Sequence, residues 1–396
     1  MLSHKIHKLA QAITPEVVGF RRHLHQHPEL SFEEYKTSAF VQDKLKALDI
    51  PFKAGIAGTG VVGFIQGKKP GPVVALRADM DALPITETNT TSYVSQNPGI
   101  MHACGHDAHT ASLLGAAAIL QDCREEMAGS IKLIFQPGEE RLPGGASLMI
   151  AEGVLENPQP AHIIGQHVMP FLDAGTVGFR KGMYMASADE ITMTVTGKGG
   201  HAAQPHQNID TVLITSHIIV ALQQLVSRFA NPTIPSVLSF GKITAAGAFN
   251  IIPNQVEVLG TFRTMNEAWR SEAHVRMKEM AEGIAKAMGG QVNFFINKGY
   301  PFLVNDVALT TQAEALAVDY LGRDKVVELD LWMAAEDFAY YSQQTKACFY
   351  RLGTRNTAKG IVSAVHTPTF DIDESALEIG CGLMAYLAIE SLNEKA

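Results

Sequence analysis

The chain reads as an α/β protein on a mixed sheet, with a smaller module inserted into the larger domain. Three observations predict this. At 396 residues the chain exceeds one ordinary core, so two domains are expected. Strand-like and helix-like runs alternate up to about residue 186 and again after about 300, as in a layered α/β domain. Between them the texture becomes strand, helix, two strands, helix, strand, a split-βαβ plan complete in itself. The expected division is 1–186 and 300–396 for the larger domain and 187–299 for the insert.

Composition excludes several classes. Apolar residues make up 46% of the chain, with 34 glycines and 18 prolines, which describes a packed, loop-bearing protein. A net charge of −8 argues against a nucleic-acid partner. No run approaches the ~18 apolar residues of a membrane span, so no membrane partner is expected. The polar start Met1-Leu2-Ser3-His4-Lys5 lacks the apolar centre of a signal peptide, which makes cytoplasm the expected compartment. Cys104, Cys123, Cys348 and Cys381 show no disulfide-framework spacing, which suits a reducing compartment where Cys104 can serve as a thiolate ligand.

The opening segment places Ile6, Leu9, Ala10 and Ile13, then Val17, Val18, Phe20 and Leu24, at helical spacing. A break or restart is expected at Thr14-Pro15-Glu16. His23, His25 and His27 alternate just before Pro28, which suits either metal ligands or a turn packed beneath a site. Ser31 with Glu34 has the form of a capping box for a helix carrying Phe40, Val41, Leu45 and Leu48. Residues 60–65 and 72–77 read as strands. The second runs into Asp79-Met80-Asp81, two carboxylates past a buried strand's carboxyl end, where α/β sheets place ligands. They can orient a metal-bound imidazole through its second nitrogen, or cap the next turn.

The densest chemistry lies in Met101-His102-Ala103-Cys104-Gly105-His106-Asp107-Ala108-His109, with a thiol, three imidazoles and a carboxylate in one short stretch. It leads into an alanine-rich apolar run, 110–120, expected to be a buried helix. Cys104 and His106 can converge on one ion from a tight turn, for which Gly105 supplies the backbone freedom; on a regular helix they would diverge. The strand at 130–136 ends in Pro137-Gly138-Glu139-Glu140. Adjacent glutamates diverge, so one can hold a metal while the other faces a water; an exposed acidic pair is the alternative. Metal-assisted hydrolysis needs that division: the ion lowers a water's pKa towards ~7 and a nearby carboxylate relays the proton. The strand at 162–170 delivers His167 at its end, and this repeated placement is more informative than any single motif.

The insert reads as strands at 190–197, 237–243, 255–263 and 291–296, with helices at 209–229 and 267–288. Chain from 301 onward returns to the larger domain. It supplies helices at 306–321 and 373–392, a loop at 332–338, a strand at 348–353, and His366 before Thr367-Pro368 as a further candidate ligand.

Collected together, these motifs resemble the aminoacylase and carboxypeptidase family of di-metal amidohydrolases. The nearer likeness is to the branch of indole-3-acetyl-amino-acid hydrolases, hippurate hydrolases and N-acetyl-diaminopimelate deacetylases. The resemblance runs over Arg22-His23-Leu24-His25-Gln26-His27-Pro28-Glu29-Leu30-Ser31, Arg77-Ala78-Asp79-Met80-Asp81-Ala82-Leu83-Pro84, the Cys104 stretch, Gln136-Pro137-Gly138-Glu139-Glu140, Gly199-Gly200-His201-Ala202-Ala203, Ala335-Glu336-Asp337-Phe338 and His366-Thr367-Pro368. It implies an exopeptidase-like catalytic domain with a ferredoxin-like (βαββαβ) lid or dimerisation insert. It also implies metal ligands at Cys104, His106, Glu140, His167 and His366, and a general base at Glu139.

Asp79 stands where the wider family usually has a histidine, a departure for which Cys104 compensates in the implied scheme. Two divalent cations are implied, Zn or Mn first, Co or Ni as alternatives. His201 is implied as an oxyanion donor, often in the partner subunit's site, and Asn250 and Arg263 as substrate-binding residues. Arg263 can instead be a strand-end surface charge. The implied substrate is a small N-acyl-amino acid and the implied assembly a homodimer through the insert. The rivals are a dipeptidase or carboxypeptidase on the same site, and a silent metal-binding scaffold protein.

Overall fold

The computed structural model describes residues 2–393; Met1 and residues 394–396, which fall in the expected first and last segments, lie outside the described residues. The chain forms two compact units. One runs through Tyr184, takes in Val304–Leu331 and resumes at Asp337; the other comprises Met185–Leu303 and Trp332–Glu336.

The first unit opens with α1 (Leu2–Gln26), a single helix that contains Pro15. The break expected at Thr14-Pro15-Glu16 does not occur. Ile6, Ala10, Val17, Phe20 and Leu24 make one buried face, and burying it outweighs the ~3 kcal/mol a proline costs inside a helix. Helix α2 (Tyr35–Ala47) follows, and the expected capping box is also absent: Glu34 makes no side-chain cap there. Ser31 donates instead to Asp81 Oδ2 at 2.7 Å, and Glu34 accepts from the N–H groups of Phe32 and Gly138.

Next come β1 (Phe52–Ile56), β2 (Gly60–Gln66) and β3 (Lys69–Asp79), then α3 (His106–Asp122), which is apolar and buried nearly all round as its alanine-rich sequence requires. They are followed by β4 (Ala128–Gln136), α4 (Gly145–Ala151), β5 (His162–Asp173), β6 (Val177–Phe179) and β7 (Gly182–Met185).

In the second unit, β8 (Asp189–Thr196), β9 (Gly200–His201), α5 (Thr211–Leu222), β10 (Ser236–Ala245), β11 (Ile251–Ile252), β12 (Gln255–Thr264), α6 (Glu267–Ala287) and β13 (Gln291–Lys298) succeed one another. The long strands form an antiparallel sheet in the order β10-β12-β8-β13. Ile214, Ile218 and Leu222 from α5, and Trp269, Ala273, Met277 and Ala281 from α6, share its core with Ile191, Met193, Val256 and Val258.

One expectation about this unit needs correcting. Thr211–Phe229 is long and apolar enough, by length and composition, to cross a membrane, and 28% of it is buried in the fold. Thr215, Ser216, His217, Gln223 and Gln224 interrupt the run, so a count of uninterrupted apolar residues passes over it.

The chain returns to the first unit through β14 (Leu303–Asn305), α7 (Val307–Leu321), β15 (Val326–Glu328), α8 (Ala339–Ser342), β16 (Lys346–Arg355) and α9 (Ala376–Asn393). The first unit's main sheet is mixed, ordered β1-β2-β4-β3-β5-β16-β6-β15. Its centre, β4-β3-β5-β16, is parallel. Asp79 ends β3 and Gln136 ends β4, so the expected ligand edge exists. His167 lies inside β5 rather than at its end, because pairing with β16 carries the strand on to Asp173. Pairing with β3, however, stops at Arg77↔Gly165, which leaves His167 beyond the cover of that neighbour.

Candidate metal centre

Cys104 and His106 flank Gly105, which sits at φ +84° immediately before α3. A side chain there would meet Val168 Cγ2 at 2.5 Å, so both the left-handed turn and the close approach of β5 require glycine. The turn aims both donors the same way: the ligand atoms of Cys104, His106 and His167 lie within 4.8 Å of one another. The same limit holds for Cys104, Glu140 and His366, and for His106, Glu139 and Glu140. All five candidate ligands therefore meet, with Cys104 common to two sets and Glu139 beside them.

His366 is held at φ +62°, a region a non-glycine residue rarely occupies, while its N–H donates to Ala103 O at 2.7 Å. Its Nε2 lies 3.0 Å from Glu140 Oε1. Backbone strain of this kind is kept where the surroundings over-determine it, typically at a working site.

The donor set fits divalent cations. His106 Nε2 is buried yet makes no hydrogen bond, an arrangement that is costly unless a cation takes its lone pair. A thiolate, imidazoles and a carboxylate are the ligand types that zinc and its neighbours prefer. The negative groups of the site favour positive charge there. Burial opposes a charge on His106, but Asp79 and Cys104 outweigh it and hold its pKa well above the usual range. His366 is pushed up to about 10 by hydrogen bonding with Cys104 and Glu140. His167, by contrast, is buried and held well below the usual range, which keeps its imidazole neutral.

The supporting carboxylates divide their work. Asp81 Oδ1 lies 3.1 Å from His106 Nδ1, while its Oδ2 accepts from Ser31 Oγ and the Glu140 N–H, so His106 presents Nε2 to the cluster. Asp79 turns inward: Oδ1 meets His109 Nδ1 at 2.6 Å and Oδ2 accepts from Arg77 Nη1 at 2.7 Å. Burial alone would raise its pKa, but His106 and Arg77 among its neighbours hold it well below the ordinary carboxylate range.

Several contributors went unassigned in the sequence. Asp337 accepts from Arg77 Nη2 and Gln136 Nε2, and its own N–H donates to Glu139 Oε1 at 3.3 Å. Asp107 is buried and accepts from Arg21 Nε at 2.8 Å, with His25 Nδ1 at 2.7 Å. The motif residues His25, Arg77, Gln136 and Asp337 were visible, but nothing local gave their partners. Of the three alternating histidines, His25 packs beneath the helix start with Asp107 and Glu87, and His23 stacks on Phe40 and touches His27. None joins a donor cluster among the described residues.

In the second unit, His201 pairs with Ile251 across the short β9–β11 ladder, and Ala202 N–H donates to Asn250 O at 3.0 Å. Arg263 lies on β12 opposite Val237; burial draws its pKa down while the charge of Asp189 acts against that.

The family model for peptidase family M20/M25/M40 matches residues 75–390. The chain belongs to that family, and it is a hydrolase of amide bonds. An N-acyl-L-amino acid amidohydrolase of Geobacillus stearothermophilus is 42% identical over 305 residues, 77% of this chain and 82% of its own. Thermostable carboxypeptidase 2 of Saccharolobus solfataricus is 37% identical over 396 residues, 99% of this chain and 100% of its own. Among solved structures, a Bacillus subtilis protein described as a dinuclear metal binding peptidase of the M20 family matches with TM-score 0.83 and 35% identity, covering 96% of this chain and 99% of that one.

Proposed function

We propose that the enzyme cleaves N-acyl-L-amino acids, or small amides of that kind, to a carboxylate and a free amino acid at a centre taking two divalent cations. The convergence of five donors around one shared thiol, with Glu139 beside them, carries the proposal. Cys104, His106 and His167 would hold one cation, and Cys104, Glu140 and His366 the other. A thiolate favours Zn, with Mn next and Co or Ni as alternatives. When bound, the cations supply Lewis acidity, polarising the scissile carbonyl and acidifying a water towards pKa ~7.

Glu139 takes the proton from that water and returns it to the leaving nitrogen. The Asp337 N–H on its Oε1 fixes the carboxylate for the transfer. His201 accepts the Ala203 N–H through Nδ1, which leaves Nε2–H to donate to the developing oxyanion. Asn250 and Arg263 bind the amino-acid half, the guanidinium fork matching a free carboxylate.

In this reading 1–186 and 300–396 make the catalytic domain, and 187–299 a ferredoxin-like insert that acts as lid and as the surface for a second copy. A cytoplasmic location is part of the same proposal, supported by four free, buried cysteines.

Replacing Glu139 by glutamine is expected to keep cation content intact while turnover falls by several orders of magnitude; unchanged turnover removes it as the base. Chelation should abolish activity, with recovery on adding Zn or Mn. A carboxypeptidase reading is favoured by the Saccharolobus solfataricus relative. Kinetics on acetyl-, benzoyl- and indoleacetyl-amino acids beside dipeptides separate the two.

A further inference from the structure

His109 belongs to the dense motif yet takes no part in the proposed chemistry. Asp79 and His106 make with it a group whose ligand atoms lie within 4.8 Å of one another, in form a further metal site. Its hydrogen bonds contradict that reading. Val168 N–H donates to His109 Nε2 at 2.8 Å, so this nitrogen carries no proton and its lone pair is occupied. The proton must then reside on Nδ1, where it is given to Asp79 Oδ1 at 2.6 Å. Asp79 is fixed in turn by Arg77, and its own carbonyl accepts from Thr110 Oγ1 at 2.7 Å. Both ring nitrogens of His109 are committed, and the residue is buried.

The committed contact falls on one particular residue, Val168. Pairing of β3 with β5 ends at Arg77↔Gly165, and past that point the His109 ring receives the Val168 N–H. The carbonyl of the same residue accepts from His167 Nδ1 at 2.7 Å. With its Nδ1 proton given away, His167 presents the bare Nε2, which lies 3.4 Å from Cys104 Sγ. The two rings sit 4.5 Å apart between centroids.

We infer that His109 is a positioning residue: by pinning Val168 from the Asp79 side, it holds the His167 imidazole in the tautomer and orientation that deliver Nε2 to a cation. This rests on His167 being a ligand, as proposed above. The same residue is then held on both sides, one histidine taking the Val168 N–H and the other its carbonyl. Partners of this kind that orient a ligand are commonly worth ~10–100-fold in metal affinity.

Two substitutions separate the ring's two bonds. His109→Gln places an amide oxygen near the Nε2 position and keeps an acceptor for Val168 N–H. His109→Asn places its amide near Nδ1, keeping the Asp79 contact and losing Val168. Calorimetric titration of the apoenzyme with Zn, and of both variants, reads cation stoichiometry and affinity directly, with circular dichroism on the same samples to establish folding. The expected result is that His109→Asn binds one of the two cations ~10–100-fold more weakly while His109→Gln stays close to wild type. Equal affinities in both variants, or equal losses in both, overturn the inference. His167→Ala is titrated alongside. If it too binds like wild type, the ligand assignment itself fails; if it loses a cation while His109→Asn does not, only the role of His109 falls.

Discussion

Glu34 shows how far a single side chain's work can differ from its local form. It is fully buried and accepts from the N–H groups of Phe32 and Gly138 and from Thr59 Oγ1, so it braces the turn that leads into Glu139. Burial lifts its carboxyl to about 7, with the charge of Asp81 adding to the effect. A folded-state pKa raised above the unfolded value means the folded chain binds more protons through the window between them. From roughly pH 4.5 to 7, stability should therefore fall as pH rises, by up to about 3 kcal/mol from this group. Glu34→Gln removes that titration, and urea unfolding of the apoenzyme across the window should show a flatter profile than wild type. An unchanged slope would mean that Glu34 ionises normally. The lesson extends to Ser31, whose hydroxyl goes to Asp81 rather than to a helix end. Buried carboxylates that each need donors decided the outcome: Asp81 takes the Ser31 hydroxyl, and Glu34 the Phe32 and Gly138 N–H groups.

Among the elements, the turn before α3 sets the geometry of the site. Its left-handed glycine lets Cys104 and His106 face one way, and its lack of a side chain lets β5 approach at Val168. Gly105→Ala has to accept both an unfavourable φ and a 2.5 Å clash with Val168 Cγ2. The expected cost is about 1–3 kcal/mol of stability, measured by denaturant unfolding, together with weakened cation binding. A variant as stable and as well loaded as wild type would show that the turn tolerates a shift. Helix α1 makes the complementary point: its buried face carries it through Pro15, where local rules predict a break.

On the scale of the molecule, the proposed homodimer has a physical basis in side chains that the second unit leaves uncovered. On α5, Val220 is 72% exposed and Leu213 49%, on the side away from the core residues Ile214 and Ile218. Isolated apolar residues at a surface are ordinary, but several on one helix mark an interaction surface. Val220→Glu should shift the enzyme from dimer to monomer in sedimentation velocity, with cation binding by the first unit retained. A wild-type chain that sediments as a monomer would remove the dimer from the proposal.

Much of this is legible in the sequence, for a definable reason. Strand and helix periodicity, the Cys104-Gly105-His106 turn and the Glu139-Glu140 pair depend on neighbours in the chain, where bond geometry and dihedral preference act directly. The sequence determined the layered α/β class, the βαββαβ order of the insert and the inventory of donors. Only the tertiary structure decided which donors share a thiol, that Asp79 turns inward to His109 and Arg77, and that Arg77 reaches Asp337 across 260 residues. Those choices rest on sheet register and on the need of each buried polar group for a partner, and neither is encoded in local spacing.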